Sequence, residues 1–284
     1  MFMDTAVVEK KFSQMGARVK FSEPTWGRPQ PFRIDIGRDK EGSFFDIQVQ
    51  KEVELMVLDV QKKDKHLLLL TKDHSAKTFR GFPAEPTKGR FLCGFDERHW
   101  FTCAVPEGST VLEAKQALKP QVLRQIEAQE GLKASRAHKR HRKLESGRKI
   151  HRQGEFMFIP EPDYQPPKGS LVIIHRHEPM SRGWRGAGNS HTAEYLYRSG
   201  GESVYVSRHA PNGFTEKQYQ DWVKTHPDER YVNWERRVRN PRVLVKGKIT
   251  HKEHRTLDLG EVWHRVTLNT EDLAVGARNV AFFD

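Results

Sequence analysis

The chain reads as an α+β N-terminal domain, an antiparallel sheet with flanking helices, followed by a mostly-β C-terminal domain built as a small barrel or sandwich. Three observations predict this. Short alternating or apolar runs punctuated by Gly, Pro and Asp recur through both halves, which is the pattern of strands joined by turns. Helical spacing is concentrated at the two ends of the first half. Between the halves, Lys133–Arg152 carries nine Lys/Arg against one acid, Glu145, and almost nothing apolar. Such a stretch has little to bury against either core, so we read 1–132 as one domain, 133–152 as a basic hinge or helix, and 153–284 as the second, with an insertion at about 211–242.

In the first half, Asp4 can cap a helix over Thr5–Met15, whose apolar Ala6, Val7, Phe12 and Met15 fall near helical spacing, and Gly16 supplies the stop. After a Pro- and Gly-rich crossing at 23–31, the runs Phe32–Ile36, Phe44–Val49, Glu54–Val60 and His66–Thr71 predict a meander of strands. Phe91–Cys93 and Trp100–Val105 add two more. Thr110–Gly131 reads as a helix capped by Ser109 or Thr110, with Pro120 kinking or splitting it.

The second half opens on a strand at Gly154–Pro160, followed by a Pro-rich loop and a strand at Leu171–His177. A Gly-rich tract, 181–190, leads into His191–Arg198, and Gly200-Gly201 predicts a tight hairpin to Ser203–Arg208. Thr215 caps a helix at Glu216–Lys224 within the insertion. Strands resume at Val243–Thr250, Thr256–Leu259, Trp263–Asn269 and Asn279–Phe283. Many short strands with closely spaced turns are what a barrel or sandwich requires.

Composition narrows the function. The 16 Phe, 6 Trp and 6 Tyr are too many for a disordered chain, and a net charge of +12 favours polyanionic partners, of which nucleic acid is the commonest. Cys93 and Cys103 stand in no zinc-knuckle spacing and read as a reduced pair. The longest apolar run, Leu67–Leu70, is far too short to span a bilayer, so we expect a cytoplasmic protein without a membrane partner. No G-x-S-x-G, Walker or dinucleotide glycine pattern occurs, and neither a reaction nor a catalytic residue can be assigned.

Three kinds of residue could carry function. At helical spacing, Arg136, Lys139, Arg140 and Lys143 would share one face, and with Arg142, Arg148, Lys149 and Arg152 they could track a phosphate backbone; the alternative is a solvated linker. Arg182 and Arg185 around Trp184, and Arg236 and Arg237 beside Trp234, pair cations with aromatics as unpaired-base binders do. The turn Asp96–Trp100 puts acids next to His99, which suits acid-base work or a plain salt-bridged turn. The C-terminal half is rich in histidine: His175 and His177 share a strand face, His191 and Glu194 share one only if the first belongs to the preceding turn, and His251-x-x-His254 falls at a turn.

Two resemblances add to this. The strand Arg152-Gln-Gly-Glu-Phe-Met-Phe-Ile-Pro160, the Gly/His turn at 188–194 and His251-x-x-His254 resemble a group of uncharacterised bacterial and phage proteins over about 152–271, which implies a domain boundary near 152 and no activity. His191-Thr-Ala-Glu194 before Gly200 or Gly201, and Gly260-x3-His264-x4-Asn269, resemble the two motifs of cupins, with Asn189 where the first motif has its leading histidine. That resemblance implies a divalent transition metal on His191, Glu194 and His264. The leading expectation is nevertheless a nucleic-acid-binding protein, RNA or single strands favoured, without a cofactor. A cupin-like metal-dependent enzyme and an assembly protein binding an acidic protein partner are the alternatives.

Overall fold

The computed structural model describes residues 5–22, 30–76, 84–96, 99–129, 141–143, 149–169, 173–180, 191–227, 231–252 and 254–269. They are mostly β, arranged in several sheets of which none is closed. By contact the chain divides into two compact units, the boundary in the described chain falling between Gln125 and Ile126.

The first unit begins with α1 (Thr5–Gln14), then β1 (Val19–Ser22), β2 (Phe32–Asp39) and β3 (Gly42–Val49), ordered β1-β3-β2. Here the expected single antiparallel meander needs correction. Val19–Ser22 forms a strand that was not anticipated, and it pairs parallel to β3. The next four strands, β4 (Val53–Gln61), β5 (His66–Asp73), β6 (Thr87–Asp96) and β7 (His99–Ala104), form a separate antiparallel sheet in sequence order. The turn at Gln50–Val53, closed by Val53 N–H donating to Gln50 O at 3.0 Å, ends one sheet and starts the other.

The apolar run on β5 is explained by burial on both faces. Leu67 and Leu69 meet Phe12 of α1, Met15 in the turn after it, and Phe45 and Ile47 of β3, whereas Leu68 faces the opposite way, into the cluster formed with α2 (Val111–Ala117). Thr110 caps α2 by accepting from Glu113 N–H, and Pro120 separates α2 from α3 (Gln121–Gln129). Cys93 and Cys103 are free and lie in these two opposite clusters, so the pair is not oriented for a disulfide. Full burial pushes the Cys93 thiol up to about 12, which keeps it protonated and inert.

The second unit is organised on one large antiparallel sheet. Its strands are β8 (His141–Lys143), β9 (Lys149–Gln153), β10 (Phe156–Pro160), β11 (Ile174–Pro179), β12 (Thr192–Ser199), β16 (Arg242–Thr250), β17 (Leu257–Asp258) and β18 (His264–Leu268). The order is β11-β12-β16-β18-β10-β9-β8, with β17 also on β16. Among the described residues β8 and β11 are its two ends, so the sheet is open and the expected barrel is not formed. Phe156, Phe158, Ala193, Leu196, Val243, Val245, Ile249 and Val266 make its main core. The basic stretch expected as a hinge or helix contributes two strands where it is described: His141–Lys143 and Lys149–Gln153 pair in register, and Ile150, 4% exposed, seats β9.

Between β12 and β16 the chain leaves this sheet. β13 (Glu202–Ser207), β14 (Ala210–Phe214), α4 (Glu216–Thr225) and β15 (Glu235–Arg239) form a three-stranded sheet β14-β13-β15 with its helix. The expected β12–β13 hairpin is therefore corrected: those strands belong to different sheets. Gly200 and Gly201 both take positive φ, +65° and +87°, and a Cβ on Gly201 would stand 2.6 Å from Val238, so the glycine pair redirects the chain. Thr215 caps α4 with a full capping box to Gln218. The strand expected at Asn279–Phe283 lies outside the described residues.

Candidate metal centre

Strand pairing builds a cluster of three histidines. In the β12–β16 ladder Thr192 is opposite Thr250, so one step beyond the strand ends His191 comes opposite His251. Their rings stack, centroids 4.3 Å apart at 17°. The turn after β16 brings His254 in as well, 5.3 Å from His191 and 4.8 Å from His251. Each of the three offers one ring nitrogen, and these atoms all lie within 4.8 Å of one another. Tetrahedral zinc with Zn–N of about 2.0–2.1 Å needs ligand nitrogens about 3.4 Å apart, so holding an ion requires the stacked rings to turn towards a common point.

The surroundings hold this arrangement. Gly154, first residue of the two-residue turn between β9 and β10, has φ +58°, and a Cβ there would lie 3.2 Å from His254 Nε2 and 3.4 Å from His191 Cε1. Gln153 beside it donates from Nε2 to Arg255 O at 2.6 Å, tying the His251–Arg255 turn to the hairpin. Phe156 sets its ring against His191, centroids 4.7 Å apart. His191 is 2% exposed, and His251 and His254 are half-buried. Burial first, then the neighbouring His251 and His254, lower the His191 pKa to about 3, so its imidazole is neutral, the form that ligates.

The metal set expected from sequence is brought together only in part. His191 belongs to the cluster; Glu194 and His264 do not join it. The Glu194 carboxylate accepts from Lys248 N–H at 2.9 Å, seated over Gly247, and it lines a cleft with His177, Thr192, Lys248 and Thr250. His264 is 3% exposed in β18, donates from Nδ1 to Val262 O at 2.8 Å, and is lowered in pKa by burial. His251 and His254 complete the set instead. Their H-x-x-H spacing at a turn was the visible signal, but nothing local ties them to His191.

Half of the expected nucleic-acid residues are described. Arg136, Lys139, Arg140, Arg148, Arg182, Trp184 and Arg185 lie outside the described residues. Arg142 and Lys143 are on β8, and Lys149 and Arg152 on β9. Trp234 packs with Phe214, Tyr219 and Trp222, making the small aromatic core between α4 and its sheet. Arg236 donates to Ser203 Oγ at 2.8 Å and Arg237 pairs with Glu235 at 2.7 Å, so both brace β15. Trp100, at the acid-histidine turn, packs on Phe95 and Phe45.

Comparison with protein-family models, with curated proteins and with solved structures finds no match for the chain. Among the described residues no helix is long and apolar enough to cross a membrane.

Proposed function

We propose that this is a transition-metal-binding protein, with His191, His251 and His254 as the ligands. The observation that carries the reading is the convergence of three imidazole nitrogens within 4.8 Å from two separate chain segments. An all-imidazole set suits zinc, copper, nickel or cobalt and disfavours magnesium or calcium. Titration calorimetry on chelator-stripped protein should give one zinc per chain. His251→Ala and His254→Ala should each weaken binding by at least about ten-fold, and zinc at a hundred times its Kd should add about 2.7 kcal/mol of stability. Wild-type binding no tighter than that of the double variant would remove the site.

A second reading, nucleic-acid binding, is favoured by the placement of Arg142, Lys143, Lys149 and Arg152 on two paired strands ending at a sheet edge, in a chain of net charge +12. Four phosphate contacts to a single strand imply a slope of log affinity against log salt of about −3. Changing the four cations to Gln should flatten that slope, and an unchanged slope would take these strands out of the binding surface. On either reading the chain is an α+β domain followed by a mostly-β one, working in a reducing compartment such as the cytoplasm, consistent with its free buried thiols.

A further inference from the structure

Resting on the metal reading, we propose that Gln153 supplies a fourth ligand through its side-chain oxygen, and that the ion so enclosed is a structural cross-link tying the β9–β10 hairpin to the start of β12 and to the turn after β16.

Gln153 carries an incomplete buried amide beside the histidines. The residue is 1% exposed. Its Nε2 donates to Arg255 O at 2.6 Å, yet Oε1 of the same amide is buried with no hydrogen-bond partner among the described residues. Flipping the amide would set its oxygen against the Arg255 carbonyl, so the bond to Arg255 fixes which atom is left over. Buried carbonyl oxygens nearly always have a partner, and an exception calls for a water or an ion to complete it.

The position of Gln153 favours the ion. In the hairpin it pairs with Phe156, so the two side chains leave the same face of the sheet, and the Phe156 ring lies against His191. From the other side the amide is held by Arg255, the residue after His254. Gly154, next in the chain, would place a Cβ 3.2 Å from His254 Nε2 and 3.7 Å from His191 Nε2, so both nitrogens lie against the turn that Gln153 enters. An amide oxygen is a neutral donor, compatible with the metals that imidazoles select.

Closure sets the role of the site. A catalytic ion keeps a coordination position for water, whereas an ion enclosed by four protein groups contributes folding free energy. Gln153, His191 and the His251–His254 pair come from three stretches far apart in sequence. Joining such stretches removes the most chain entropy from the unfolded state.

The test loads the full chain with cobalt(II) in place of zinc and reads its visible absorption with and without thiocyanate, an anion that enters an open coordination position. Wild type should show four-coordinate bands that thiocyanate leaves unchanged. Gln153→Leu should bind cobalt at least about ten-fold more weakly, with bands that thiocyanate shifts. Gln153→Glu keeps an oxygen and should bind no more weakly than wild type, with unresponsive bands. Both variants lose the donation to Arg255 O, so a glutamine that only braces the turn would give equal losses in the two, and that result overturns the ligand role. Cobalt bound by wild type with bands that thiocyanate shifts overturns the enclosed site and leaves the metal reading intact. Should Gln153→Leu fail to fold, the wild-type spectrum and Gln153→Glu still decide, a weakened or responsive Gln153→Glu overturning the inference. Wild type that binds neither cobalt nor zinc overturns both readings.

Discussion

Metal-free protein should lose roughly 3–5 kcal/mol of unfolding free energy between pH 6.5 and about pH 3 from His191 alone. Burial, and after it the proximity of His251 and His254, hold the native imidazole neutral down to about pH 3, whereas in the unfolded chain it takes a proton near 6.5. Within that window the unfolded state binds a proton that the native state does not, so stability falls as pH falls. Above 6.5 both states are neutral there and the contribution vanishes. His264, lowered mainly by burial and partly compensated by its bond to Val262 O, pushes in the same direction. Urea midpoints measured across this range in the presence of chelator should show the loss, and His191→Gln should reduce it. The same pH dependence in wild type and variant would show that His191 is not the group responsible.

Phe156→Ala should cost about 3–5 kcal/mol, the usual range for emptying a buried aromatic site. Phe156 is 1% exposed in the main core of the second unit, and its ring also fixes His191. The variant should therefore lose zinc affinity along with stability. Phe12→Ala, at a fully buried position in the first unit's core, should cost a similar amount and retain zinc affinity. Retained affinity in Phe156→Ala, with the stability loss present, would mean that the histidines are held by their backbone and by Gly154 alone.

These two residues also mark how differently the two halves could be read. Around Phe12 the local pattern was sufficient: helical spacing before Gly16 gives α1, and the uninterrupted leucines of β5 announce a strand covered on both faces. Pro120, expected to kink or split its helix, separates α2 from α3, having no N–H to donate to the helical ladder. Val19–Ser22 was missed because four residues are too few to show a period, and its pairing with β3 is parallel, which no turn signals. The Gly200-Gly201 pair was recognised as a turn, but a turn residue specifies where the chain bends and not which sheet receives the next strand.

By itself, then, the sequence determined what depends on neighbours along the chain: the caps at Thr110 and Thr215, the break at Pro120, the buried runs, the concentration of charge at 133–152, and the histidine richness of the C-terminal half. Tertiary structure alone decided which histidines meet. His191 faces His251 because Thr192 pairs with Thr250, and the register of two strands separated by a whole inserted sheet and helix is set by packing on both of their faces. The same holds for the basic stretch. Its cations favour solvent in any conformation, and only the seating of Ile150 and the pairing of β9 with β10 made part of it sheet.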